Sequence, residues 1–116
     1  MTEHSSQKGS AHFWAQRLTA VALIFLGLWF LISILMLDDL QHAAVSAWLS
    51  TPMNSILMIL TFAALAYHSQ LGVQVVIEDY VHGPKISVLS LRLNLLTHIL
   101  VAAAGLYALV TVGFGA

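Results

Sequence analysis

Cysteine is absent from the 116 residues, so disulfides, thiolate metal sites and iron–sulfur ligation by this chain are all excluded. Charge is scarce too. Asp, Glu, Lys and Arg make up 8% of the sequence, against about 25% in soluble domains. A soluble fold would need a far larger polar surface. The formal net charge of −1 offers no electrostatic ground for binding nucleic acid. The basic residues are Lys8, Arg17, Lys85 and Arg92 and no others. Residues 1–11 are polar. No early apolar stretch with a small-residue cleavage site is present, and no Arg-rich transit peptide. Proline occurs twice, at Pro52 and Pro84, and both mark boundaries between apolar runs.

What is abundant is apolar surface, at 59% of residues. It is gathered into three runs, each about 20 residues or longer, the length needed to cross a hydrocarbon core of about 30 Å. The sequence therefore predicts an all-α membrane protein, a single anchor domain over residues 1–116 with transmembrane helices at about 13–37, 53–79 and 87–113. It would form part of a larger helix bundle. Phe13, Trp14 and Arg17 precede the first run as headgroup-level residues. Trp29 and Phe30 are expected to face lipid or a partner helix. Residues 41–49 have room for one or two interfacial turns anchored by Trp48. Ser50 or Thr51 suits an N-cap, with Pro52 at the first helical position. Gly83-Pro84 ends the second helix. Ala102-Ala103-Ala104-Gly105 would allow close approach of another helix.

All four basic residues lie in the N-terminal segment, in the second loop or at the adjoining helix starts, whereas the first loop carries Asp38 and Asp39. The positive-inside rule then puts the N-terminus and the 78–87 loop in the cytoplasm and the C-terminus in the periplasm. A bacterial inner membrane is the expected setting.

His68 stands inside the second run, and an intramembrane ionisable residue needs a reason. It lies about 15 Å from the acidic helix end, which suggests mid-bilayer depth. Gly72, one turn later on the same face, leaves room for a bulky planar group. Neutral imidazole is a common axial ligand of haem iron. It is also, as often, a membrane residue hydrogen-bonded to a neighbouring helix. His98 on the third helix is a competing ligand without a glycine one turn away. Gln70 and Gln74 are expected to hydrogen-bond between helices. Asp79 and Tyr80 close the second helix, although acids at a helix C-terminus oppose the macrodipole. A phenol at that level could donate to a quinone carbonyl. Arg17 reads either as a snorkelling anchor or as a partner for a haem propionate.

His68-x3-Gly72-x5-Glu78-Asp79-Tyr80, with Arg17-Leu18-Thr19-Ala20 opening the first helix, resembles the smaller hydrophobic membrane anchor of succinate dehydrogenase (respiratory complex II), in its alphaproteobacterial form. The resemblance covers nearly the whole chain. It implies that His68 is an axial ligand of haem b, with Gly72 in the pocket, the second ligand coming from a partner anchor, and Arg17 on a propionate. It implies that Tyr80 hydrogen-bonds ubiquinone with support from Asp79; His12 is a further candidate for the propionates. The implied partners are a second anchor (cytochrome b) subunit, an iron–sulfur subunit and a flavoprotein. Succinate oxidation itself would lie on another chain. Two alternatives remain: a haem-free structural subunit of another respiratory complex, and a small transporter. The transporter would need a membrane-embedded carboxylate, whereas all five acids here are terminal or near loops.

Overall fold

The computed structural model describes residues 2–115, with side chains from residue 9 onward. Lys8, part of the charge argument for orientation, lies outside the described side chains. Four helices occur in the order α1 (Thr2–Leu35), α2 (His42–Leu49), α3 (Pro52–Tyr80) and α4 (Pro84–Phe114), with no strand among the described residues. Three of them, Gly9–Leu35 of α1, α3 and α4, are long and apolar enough to span a membrane. The chain is an all-α, multi-pass membrane protein.

Each boundary has a local cause. The first helix begins well before residue 13, at Thr2, because residues 2–8 contain no proline and simply prolong the helical path. It ends at Leu35 rather than Leu37. Leu37 N–H bonds Ile34 O at 3.2 Å, tightening the last turn, and Asp39 Oδ1 accepts from Gln41 N–H at 2.8 Å. Short acidic side chains favour this turn chemistry. The third span starts at Pro84, three residues earlier than expected. Gly83 has φ +128°, a conformation other residues rarely adopt, and Pro84 fits the first turn without needing its missing N–H.

The α2–α3 joint is stitched by side chains. Thr51 is the N-cap residue but makes no side-chain cap. Instead Asn54 Nδ2 donates to Trp48 O at 3.0 Å, and the fully buried Ser55 hydroxyl donates to Leu49 O. These bonds satisfy carbonyls left open at the end of α2. Trp48 stacks on Trp29, with ring centroids 5.6 Å apart and planes inclined by 26°. Trp29 is therefore an internal partner of α2 and not chiefly a lipid-facing residue; Phe30 does face outward. An offset aromatic pair contributes about 0.5–1.5 kcal/mol beyond its area.

α3 is the middle of a row. It packs against α1 on one side and α4 on the other, while α1 and α4 do not meet among the described residues. A three-residue connection makes α3 and α4 antiparallel neighbours. Glycine permits the close approach of α4. At Gly105 a Cβ would overlap the Phe62 ring, and at Gly113 it would overlap the Ser55 hydroxyl. The small-residue patch at 102–105 does what its composition suggests, with α3 as the helix it receives. A row of three helices leaves most apolar side chains uncovered; among the described residues Leu71 is the one buried large apolar residue. Lipid or further helices must cover the rest.

Candidate functional site

Two polar clusters flank α3 at one level. On the α1 side, His12, Gln16 and Thr19 recur at i, i+4 and i+7 and so share a face. That face meets His68 and Gly72. Thr19 Oγ1 lies 2.9 Å from His68 Nδ1, and the Gln16 amide is 3.7 Å from where a Gly72 Cβ would sit. The latter is ordinary contact, so the chain's own packing would tolerate a side chain at Gly72. Packing within the chain does not explain the glycine.

The proton at His68 can be located by exclusion. Thr19 Oγ1 lies 2.8 Å from Ala15 O and 3.1 Å from Gln16 O. A carbonyl carries no proton, so the hydroxyl must donate to reach that separation. The Thr19 oxygen then accepts from Nδ1–H of His68. Nε2 keeps its lone pair, and no described residue hydrogen-bonds it.

On the α4 side the result is opposite. His98 Nδ1 donates to Asn94 O at 2.9 Å, and Ser69 Oγ donates to Nε2 at 3.1 Å. Both nitrogens of His98 are engaged. Asn94, 7% exposed, also donates through Nδ2 to Gln70 O at 3.1 Å. The expected interhelical amide bond thus uses the Gln70 carbonyl. The side chains of Gln70 and Gln74 form a ladder along α3, Gln70 Nε2 to Gln74 Oε1 at 3.4 Å and Gln74 Nε2 to Glu78 Oε1 at 2.8 Å. Four residues is one turn of one helix, so the ladder forms without a neighbour.

His68 and His98 sit level but engage different helices. Contact with Thr19 also sets the depth of His68. Thr19 lies ten residues, about 15 Å of helix, from Gly9 at the start of the α1 span. Arg17 is level with His68, about 3 Å along α1 from Thr19, but about 200° round the helix. It is exposed, and its guanidinium lies over the Phe13 ring, 5.2 Å from the centroid. Two buried atoms on the His68-facing stripe, His12 Nε2 and Gln16 Oε1, have no hydrogen-bond partner among the described residues. Such groups are costly when left unpaired.

Asp79 and Tyr80 stand at the other end of this surface, about 18 Å from His68. Both are exposed, Tyr80 by 78%. Neither hydrogen-bonds the other, so Asp79 does not hold Tyr80 in the isolated chain.

Residues 2–113 match the succinate dehydrogenase/fumarate reductase transmembrane subunit family. The chain belongs to that family. It is 32% identical over 108 residues to a succinate dehydrogenase hydrophobic membrane anchor subunit of Rickettsia bellii, covering 93% of this chain and 78% of the relative. A succinate dehydrogenase membrane anchor subunit of Reclinomonas americana is 33% identical over 91 residues, 76% of each chain. The Rickettsia typhi hydrophobic anchor subunit is 36% identical over 84 residues, 71% of this chain and 66% of that one. A succinate dehydrogenase anchor works within a complex with other subunits, in keeping with the uncovered faces of the α1–α3–α4 row. Thr19, Ser69 and Asn94 were not singled out for a role by the sequence. The His12, Gln16, Thr19 spacing was the available signal for the first of these.

Proposed function

We propose that this chain anchors succinate dehydrogenase in a bacterial inner membrane, gives haem b one axial ligand through His68 Nε2, and lends the Asp79-Tyr80 end of α3 to the ubiquinone site. The observation that carries the reading is the contrast between two level histidines: His98 is saturated, whereas His68 is held at Nδ1 and retains an uncommitted lone pair. The residues fit the group. Gly72 lacks a side chain that its own chain would accommodate, and His12 and Gln16 offer buried polar atoms in need of partners. When bound, haem b supplies a one-electron carrier. Arg17 is level with His68 but on the far side of α1, so its long side chain would have to turn round the helix to meet a propionate; His12, on the His68-facing stripe, would be the second contact. The partners are a second anchor (cytochrome b) subunit, which contributes the other axial ligand, an iron–sulfur subunit and a flavoprotein.

Tyr80 would donate to a ubiquinone carbonyl, and Asp79 would hold that phenol or pass protons once partner chains enclose the site. Tyr80→Phe keeps the ring and removes one hydrogen bond, worth about 0.5–1.5 kcal/mol net. Succinate–ubiquinone reduction should slow by up to about tenfold. Succinate oxidation with a soluble acceptor should not change. Asp79→Asn should act in the same direction. Normal quinone reduction and inhibitor sensitivity in both variants would remove the quinone site from this helix end.

The proposed orientation has the N-terminus and Tyr80 in the cytoplasm and the C-terminus in the periplasm. The absence of cysteine makes single-cysteine labelling clean. An impermeant thiol reagent applied to intact cells should label Ala43→Cys but not His82→Cys. The reverse pattern would invert the topology.

A further inference from the structure

We propose that Thr19 is the positioning residue of the His68 imidazole: its hydroxyl oxygen accepts Nδ1–H, fixes the tautomer and ring orientation, and so presents Nε2 to haem iron. The inference rests on the haem reading above. Threonine in a membrane helix commonly turns its hydroxyl back on its own helix, and Thr19 does so through Ala15 O at 2.8 Å. That back-bond consumes the only hydroxyl proton, which leaves Thr19 an acceptor toward His68. The 49-residue separation makes this an inter-helix lock. It joins α1 to α3 at the level of the proposed ligand. Metal-binding histidines regularly donate their second N–H to such a partner, which raises the basicity of the coordinating nitrogen. A more electron-rich axial imidazole favours ferric over ferrous haem, so loss of the partner should move the midpoint potential upward.

The test uses the whole membrane complex carrying Thr19→Val, Thr19→Ser or His68→Ala, with haem content and haem midpoint potential as readouts. Valine keeps the shape and removes the acceptor. Thr19→Val should raise the midpoint potential and weaken haem retention by roughly 10–100-fold during detergent washing. Thr19→Ser should restore both toward the parent values. If His68→Ala keeps a low-spin haem, the ligand reading fails and Thr19 loses its role with it. If His68→Ala loses the haem while Thr19→Val matches the parent in potential and retention, the positioning role alone is overturned. If Thr19→Val is isolated without haem, rescue by Thr19→Ser supports the role, and failure of the serine to rescue contradicts it.

Discussion

Complexes carrying His68→Ala should lack the low-spin b-type spectrum, while His98→Ala complexes should keep it. The two histidines are level in the fold and similar in residue type, so a large difference between them requires a specific cause. That cause is the use of their nitrogens. At His98, Ser69 occupies Nε2 and the Asn94 carbonyl occupies Nδ1. Its removal strips two groups of their partners, at about 1–3 kcal/mol for each that stays buried and unpaired. The expected consequence is a less stable α3–α4 contact with the spectrum intact. At His68 only Nδ1 is engaged among the described residues, by Thr19. Removing His68 takes away an uncommitted imidazole nitrogen beside Gly72, a loss that His98 cannot replace because both of its nitrogens are bonded. Recovery of the complex must be followed in parallel through succinate oxidation with a soluble acceptor. A low-spin spectrum unchanged in an intact His68→Ala complex would refute the ligand assignment.

Gly113→Val should be the most damaging single change away from the polar clusters. The residue is buried where α4 passes the α2–α3 joint, and its Cβ would meet the Ser55 hydroxyl and, at 3.2 Å, Leu49 O. Ser55 is fully buried and already bonded to Leu49 O, so it cannot retreat without breaking that bond. Overpacking costs about 1–3 kcal/mol, and the orphaned carbonyl about 1–3 more. A total of roughly 2–6 kcal/mol should show as a sharply lower level of the assembled chain in membranes and earlier thermal unfolding in detergent. Gly105→Ala presses on the Phe62 ring instead. A ring tip can swing toward the lipid side, so the effect should be smaller. Ser55→Ala combined with Gly113→Ala should recover part of the loss of Gly113→Ala alone, because the overlapping hydroxyl is gone. Equal stability of Gly113→Val and the parent would contradict this packing.

The spans were legible because the bilayer imposes a length that soluble packing does not. Runs of uncharged residues bounded by Asp38-Asp39, Thr51-Pro52 and Gly83-Pro84 read directly as helices and their ends. Boundary shifts arose where local chemistry permits more than one endpoint, as at the polar residues before His12 and the three residues after Gly83. His68, Gly72, Asp79 and Tyr80 stood out because polar or small residues are unusual in their settings. The lock between Thr19 and His68 did not, since a threonine in an apolar helix has a sufficient local partner in its i−4 carbonyl. Only tertiary placement shows that its lone pairs serve a second helix. Trp29 illustrates the same limit. Hydropathy left lipid and a partner helix equally open for it, and its stacking on Trp48 depends on where the tertiary fold places α2.

The central claim, that this anchor helps to hold a haem, is tested most directly by isolating the intact complex through a tag on this chain and quantifying haem b against the chain together with its reduced-minus-oxidised spectrum. The account predicts about one haem b per copy, low-spin and reducible by succinate. A complex that oxidises succinate with a soluble acceptor and reduces ubiquinone, yet contains no haem b, would contradict it and leave His68 as a helix-packing residue bonded to Thr19.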